Sequence, residues 1–160
     1  MKKVLIVGAT GSIGRQALAI IGAHKDSFRV AGLSAHANEA KLLEAARLCA
    51  REGLGAPALC LSGADPVDRS IAYAGADSLA RFISESDADI VLNAAAGAAG
   101  LAPTMAALNG GKDLALANKE SIVMAGRLVL ALAKAKGARV LPVDSEHSAL
   151  FNLIERFGRA

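Results

Sequence analysis

Apolar runs of strand length alternate with stretches of helical periodicity along most of this chain. The pattern predicts strands at residues 3–7, 29–34, 58–61, 89–93, 113–116 and 139–143. Several of these runs are apolar throughout rather than alternating, as strands buried on both faces should be. Helical periodicity predicts helices at 13–23, 39–52, 77–84, 101–109 and 119–136. In the last of these, Ile122, Ala125, Leu128, Val129 and Leu132 trace one apolar face. Gly110, Gly111 and Gly137 mark helix ends. Residues 62–75 are polar and read as an irregular surface loop. Strand-helix alternation of this kind predicts an α/β fold: a doubly wound, Rossmann-type parallel sheet in three layers with right-handed crossovers.

In such a sheet the loops after the strands all open on one edge, and ligands bind there. Residues 8–14, 34–38, 94–100, 117–121 and 144–146 each follow a predicted strand, so every polar or glycine-rich cluster falls on that edge.

Composition narrows the classes. At 160 residues, 53% of them apolar, the chain suits one domain with a sizeable core. Aromatic residues make up only 3%, which leaves no stacking platform of the kind single-strand binders use. A net charge of +3 with dispersed basic residues gives no nucleic-acid footprint. The two cysteines, Cys49 and Cys60, lack metal-ligand spacing and read as buried unpaired thiols in a reducing compartment. The apolar N-terminal run stops at Gly8, wrong for a signal peptide. The uncharged stretch 90–109 is mostly Ala and Gly with Asn93 and Pro103 inside, too weakly apolar for a membrane span. A soluble, cytoplasmic protein with no membrane partner is expected.

Four segments carry chemistry. Gly8-Ala9-Thr10-Gly11-Ser12-Ile13-Gly14 links the first strand to the first helix. Glycines there permit a tight turn and close backbone approach, so a pyrophosphate can sit on the helix N-terminus, with Thr10 and Ser12 as added hydroxyl donors. The second strand ends Ser34-Ala35-His36-Ala37-Asn38 without the acid that holds a 2′-hydroxyl, which favours a 2′-phosphate, although no Lys or Arg stands in the loop. Lys119 in the segment Asn118-Lys119-Glu120-Ser121 opens a helix against the macrodipole, which an anionic ligand would explain; Asn118 also suits an N-cap with Lys119 merely exposed. Asp144-Ser145-Glu146-His147 ends the last strand in two carboxylates, oxygen donors of the kind hard divalent cations prefer. The same residues suit a helix start, with Asp144 or Ser145 as N-cap.

Taken together, residues 8–14, 93–101, 116–121 and 141–149 (GATGSIG, NAAAGAAGL, LANKES, LPVDSEHSA) resemble the 1-deoxy-D-xylulose 5-phosphate reductoisomerase family. The resemblance implies an NADPH- and divalent-metal-dependent conversion to 2-C-methyl-D-erythritol 4-phosphate in non-mevalonate isoprenoid synthesis, with magnesium, manganese or cobalt. Carried over by position, it implies NADPH contacts at Thr10, Gly11, Ser12, Ile13, Asn38, Asn118 and Glu120. It implies a substrate-binding lysine at Lys119, metal ligands at Asp144 and Glu146, and substrate contacts at Ser145 and Glu146, so that Lys119, Asp144, Ser145 and Glu146 form the catalytic set. His147 is expected only to cap or orient. One departure is Ala37, where the family often has a basic or polar residue near the 2′-phosphate. Because the family continues past residue 160, the expectation is an NADPH-binding domain at 1–143, then the start of a catalytic, metal-binding domain at 144–160, inactive alone. For the whole family protein the implied partners are a phosphorylated sugar and a second copy in a homodimer. Two other readings stay open: a non-catalytic nucleotide-binding module, and another NADP-dependent dehydrogenase. The latter is weakened because the single tyrosine, Tyr73, has no lysine four residues on.

Overall fold

The computed structural model describes residues 1–158, with the side chains of Ser145, Glu146, His147 and Phe157 outside the described set. Seven strands form a single sheet: β1 Lys2–Val7, β2 Phe28–Ala35, β3 Ala58–Leu61, β4 Tyr73–Ala74, β5 Ile90–Asn93, β6 Asp113–Leu116 and β7 Val140–Pro142. Among the described residues, α-helices α1 Ser12–Ala23, α2 Glu39–Arg51, α3 Ser78–Glu85, α4 Leu101–Asn109 and α5 Lys119–Lys136 lie between strands, and α6 Ser145–Phe157 follows β7. The strand order is β4-β3-β2-β1-β5-β6-β7 and every pairing is parallel. The chain thus winds outward from β1 in one direction and then, from β5, in the other.

Alternation along the central strand builds the three layers. Val4 and Ile6 face a core with Leu18 and Ile21 of α1 and Leu42 and Cys49 of α2. Leu5 and Val7 face the opposite way, onto Phe82 and Ile83 of α3, Ala107 and Leu108 of α4 and Val129 of α5. Both faces are therefore buried, which is why these strands read as continuous apolar runs. Between Val4 and Leu5 the pairing to β2 slips, passing from Val30 to Gly32. A Cβ on Gly32 would lie 2.6 Å from the Phe82 ring and 3.1 Å from Leu5, so the bulge glycine makes room for the largest side chain of that core.

Two expectations need correction. The stretch 62–75 is not wholly irregular, since Tyr73–Ala74 pairs with Cys60 and Leu61 as an edge strand. Tyr73 is held there by tertiary contacts: its hydroxyl donates to Glu85 at 2.8 Å and its ring meets Phe82 at 5.1 Å. The inner face of α5 also differs. Ser121, Val129 and Ala133 are buried, whereas Ile122 and Leu128 are 37% and 58% exposed. The backbone breaks at Ala125 (φ −146°, ψ 27°), and the first turn is rotated so that Ser121 points inward, which carries Ile122 out of the core. Val123, Met124, Leu128 and Leu130 of α5, with Leu150, Leu153 and Ile154 of α6, leave apolar side chains exposed. No helix among the described residues is long and apolar enough to cross a membrane.

Candidate active site at the carboxyl edge of the sheet

All the strands run the same way, so the glycine turn, the β2 and β5 loops, the start of α5 and Asp144 share the carboxyl edge. The order reverses between β1 and β5, the place where open α/β sheets bind ligands. From β2 to β6 is three strand spacings, roughly 14 Å, a span suited to an extended dinucleotide.

The glycine turn is built for close approach. Gly8 has φ +79°, and a Cβ there would stand 2.8 Å from the Ala94 carbonyl oxygen in the β5 loop. A Cβ on Gly14 would meet Ala9 Cα at 2.6 Å, so α1 packs directly on the turn. Ala9 N–H donates to Ser34 O at 2.8 Å, tying the turn to the end of β2. Gly11 is the N-cap of α1 and supplies no side-chain acceptor to its first N–H groups. Gly11, Ser12 and Ile13 are exposed and Thr10 is half-buried. The first-turn donors of α1 therefore face the edge without a side-chain cap, which fits an anionic cofactor group.

Asn38 is exposed and caps α2, its Oδ1 accepting from Lys41 N–H at 3.0 Å. The His36 ring lies over Gly63, engaged with the loop after β3.

Asn118 is the N-cap of α5, and its side chain is 2% exposed and fully engaged. Its Nδ2 donates to Ala95 O and Gly97 O, both at 2.9 Å, and to Glu120 Oε2 at 3.1 Å. Its Oδ1 accepts from Ser121 N–H at 2.9 Å and from the Ser121 hydroxyl. Asn118 therefore fastens the start of α5 to the β5 loop rather than extending into the cleft. Lys119, the next residue, is exposed at the edge, and Glu120 is half-buried. Asp144 is half-buried immediately before α6, and its carbonyl accepts from Ser148 N–H at 2.9 Å, the N-cap position. The Ser148 hydroxyl donates to Pro142 O at 2.7 Å and binds this start to β7. The candidate side chains of Ser145 and Glu146 lie outside the described residues. Among the described residues no three His, Cys, Asp or Glu side chains converge as a metal site.

Sequence reasoning missed the polar network beneath this edge. Asn93, Thr104, Asn118 and Ser121 are four of the six polar residues buried among the described residues. Asn93 Nδ2 donates to Gly100 O at 2.7 Å and to Thr104 Oγ1 at 2.9 Å, and its Oδ1 accepts from Ala95 N–H at 3.1 Å. Thr104 donates to Ser121 Oγ at 3.3 Å, and Ser121 in turn donates to Asn118. One chain of bonds thus joins β5, the 97–100 turn, α4 and α5. Its only signal in the sequence is a lone polar residue in each of several apolar stretches.

Charge is unevenly placed. Three of the five ion pairs among the described residues, Lys2–Asp89, Lys3–Asp87 and Arg139–Asp113, lie at the opposite, amino edge of the strands. There the Arg139 guanidinium holds the Asp113 carboxyl below the usual range, and Lys3 does the same for Asp87. At the carboxyl edge Arg15, Lys41 and Lys119 enter none of these pairs. The cysteines are free and buried, and burial pushes both thiols up, Cys49 to about 11, away from the thiolate form.

Comparison with known proteins agrees with this arrangement. The family model for 1-deoxy-D-xylulose 5-phosphate reductoisomerase matches residues 4–126. The enzyme of that name from Mycolicibacterium smegmatis is 47% identical over 159 residues, 99% of this chain and 39% of the relative. A solved structure of the reductoisomerase from Zymomonas mobilis in complex with NADPH superposes with a TM-score of 0.81 at 38% identity, over 94% of this chain and 41% of that one. A DOX-P reductoisomerase in complex with NADPH, fosmidomycin and magnesium gives 0.81 at 37% identity, over 95% and 38%. The chain spans about two-fifths of the length of these relatives. It belongs to the 1-deoxy-D-xylulose 5-phosphate reductoisomerase family.

Proposed function

We propose that this chain is the NADPH-binding part of an enzyme that converts 1-deoxy-D-xylulose 5-phosphate to 2-C-methyl-D-erythritol 4-phosphate in non-mevalonate isoprenoid synthesis. The observation that carries the reading is the uncapped glycine turn of α1, set at the switch point of the sheet in a chain of this family. The residues fit the cofactor. Thr10, Gly11, Ser12 and Ile13 would hold the pyrophosphate through the backbone of the turn, the first-turn N–H groups of α1 and the two hydroxyls, and Asn38 would border the adenosine side. NADPH, when bound, supplies the hydride. Asn118 and Glu120 would set the nicotinamide side through the position of the α5 start, since the Asn118 amide is spent on the β5 loop. Lys119, exposed at that start, would hold an anionic group of the sugar phosphate.

Asp144 and Glu146 would be the metal ligands, and Ser145 and Glu146 would touch substrate. Carboxylate oxygens suit magnesium, manganese or cobalt, and such a cation would polarise the substrate carbonyl. Two carboxylates leave most of an octahedral shell to water, substrate or another segment, so metal affinity here should be weak, about millimolar. We place the boundary between the cofactor domain and a catalytic, metal-binding domain at 143/144. The whole protein would act as a cytoplasmic homodimer, and the exposed apolar side chains of α5 and α6 offer surface for further protein contacts.

Calorimetry tests the cofactor assignment. NADPH should bind the chain, and Gly11→Val should weaken it by placing a side chain where the phosphate would lie. Equal affinity in both removes the site from this turn. With sugar phosphate and manganese added, NADPH should not be consumed. Sustained consumption that disappears in Glu146→Gln would show that these 160 residues suffice for catalysis.

A further inference from the structure

The loop after β2 contains no lysine or arginine, yet an open cleft beside it is lined with cations. This cleft of about 410 Å³ lies between α1 and α2, opening at Ala9 and Thr10 of the glycine turn, with Leu18 and Leu48 on its floor. Arg15 projects into it from α1 and Lys41 from α2, while Arg47 and Arg51 lie farther along α2 and Glu44 is the single acid. Arg15 and Lys41 are exposed and form no ion pair among the described residues. Two bonds fix the mouth of the cleft against the end of β2: Ala9 N–H to Ser34 O at 2.8 Å, and Lys41 N–H to Asn38 Oδ1 at 3.0 Å. In dinucleotide-binding sheets the 2′ position of the adenosine ribose sits at the end of this strand, and a nearby arginine accommodates a 2′-phosphate.

We infer that Arg15 and Lys41 form the 2′-phosphate subsite of this chain and set its preference for a 2′-phosphorylated dinucleotide. The assignment rests on the NADPH reading above and deepens it, because the cations come from two helices instead of from the β2 loop. A guanidinium on one wall and an ammonium on the other present several N–H donors to a dianion in an open cleft. Arg51 is ten residues beyond Lys41, about 15 Å along the helix, too far to touch the same phosphate.

The test measures NADPH and NADH affinity by calorimetry for wild type, Arg15→Gln, Lys41→Gln, the double variant and Arg51→Gln. All are exposed helical positions, and glutamine is a good helix former, so folding is retained. Each single variant at Arg15 or Lys41 should weaken NADPH about tenfold, as loss of a charge-assisted contact implies, and the double variant further. NADH should change less than twofold, and Arg51→Gln should match wild type. An NADPH affinity unchanged in the double variant overturns the assignment, as does an equal loss for NADH, or a loss in Arg51→Gln as large as in Arg15→Gln. Failure of wild type to bind NADPH at all overturns the cofactor reading itself, and this subsite with it.

Discussion

Removing the Asn93 side chain should destabilise the protein more than its size suggests. Asn93 is fully buried, and its amide makes three hydrogen bonds, to Gly100 O, Thr104 Oγ1 and Ala95 N–H. Asn93→Ala leaves the Gly100 carbonyl and the Thr104 hydroxyl without that donor in a dry interior, while Ala95 N–H is near enough to the surface to find water. Each buried polar group left unpaired costs about 1–3 kcal/mol, so two imply about 2–6 kcal/mol. Against a total stability of about 5–15 kcal/mol for an ordinary domain, that is a large fraction. Thr104→Val, of nearly equal shape, removes the same acceptor and the donor to Ser121, and should cost about 1–2 kcal/mol. In the double variant the Asn93–Thr104 bond is lost only once, so its cost should fall short of the sum by at least about 0.5 kcal/mol. Urea denaturation of the four proteins supplies these numbers, provided the slope with denaturant stays constant. Strict additivity, or a cost below about 1 kcal/mol for Asn93→Ala, would refute the network as a coupled unit.

Gly14→Ala should destabilise by about 2–3 kcal/mol despite alanine's better helix propensity, because the new Cβ would press on backbone of Gly8 and Ala9; a rise in melting temperature would contradict this. Asp113→Asn should lower the melting temperature at neutral pH. The wild-type carboxyl is depressed by Arg139, so its contribution is complete above the ordinary aspartate value of about 3.9 and is lost as pH falls through the depressed folded value. The difference between the two proteins should therefore vanish in acid, and a difference that persists there would exclude the ion pair as its source.

What was legible in the sequence was what burial on both faces writes into it. The continuous apolar runs at 4–7, 58–61 and 90–92 gave their strands and, with the alternating helices, the parallel sheet and the common edge of its loops. Tyr73–Ala74 was not legible, since two residues carry no period and their placement depends on Glu85 and Phe82 twelve and nine residues away. The inner face of α5 was misread because an ideal helical wheel ignores both the break at Ala125 and the pull of Thr104 and Asn118 on Ser121. At the site, the glycine turn and the Asn118 cap could be named from residue types. The inward direction of the Asn118 amide could not, because its acceptors at Ala95 and Gly97 come from another loop. The cations of the α1–α2 cleft were hidden for the same reason, being spaced as an ordinary solvated helix face.

The NADPH site proposed for the carboxyl edge of this sheet spans the switch point. Amide chemical shifts of the isotope-labelled protein, followed during titration with NADPH, test it most directly. Saturable changes are expected at residues 8–14, at Asn38 and Lys41, and at residues 118–120, with none at Lys3, Asp89, Asp113 or Arg139 on the opposite edge. Changes confined to that opposite edge, or absent at millimolar NADPH, would contradict it.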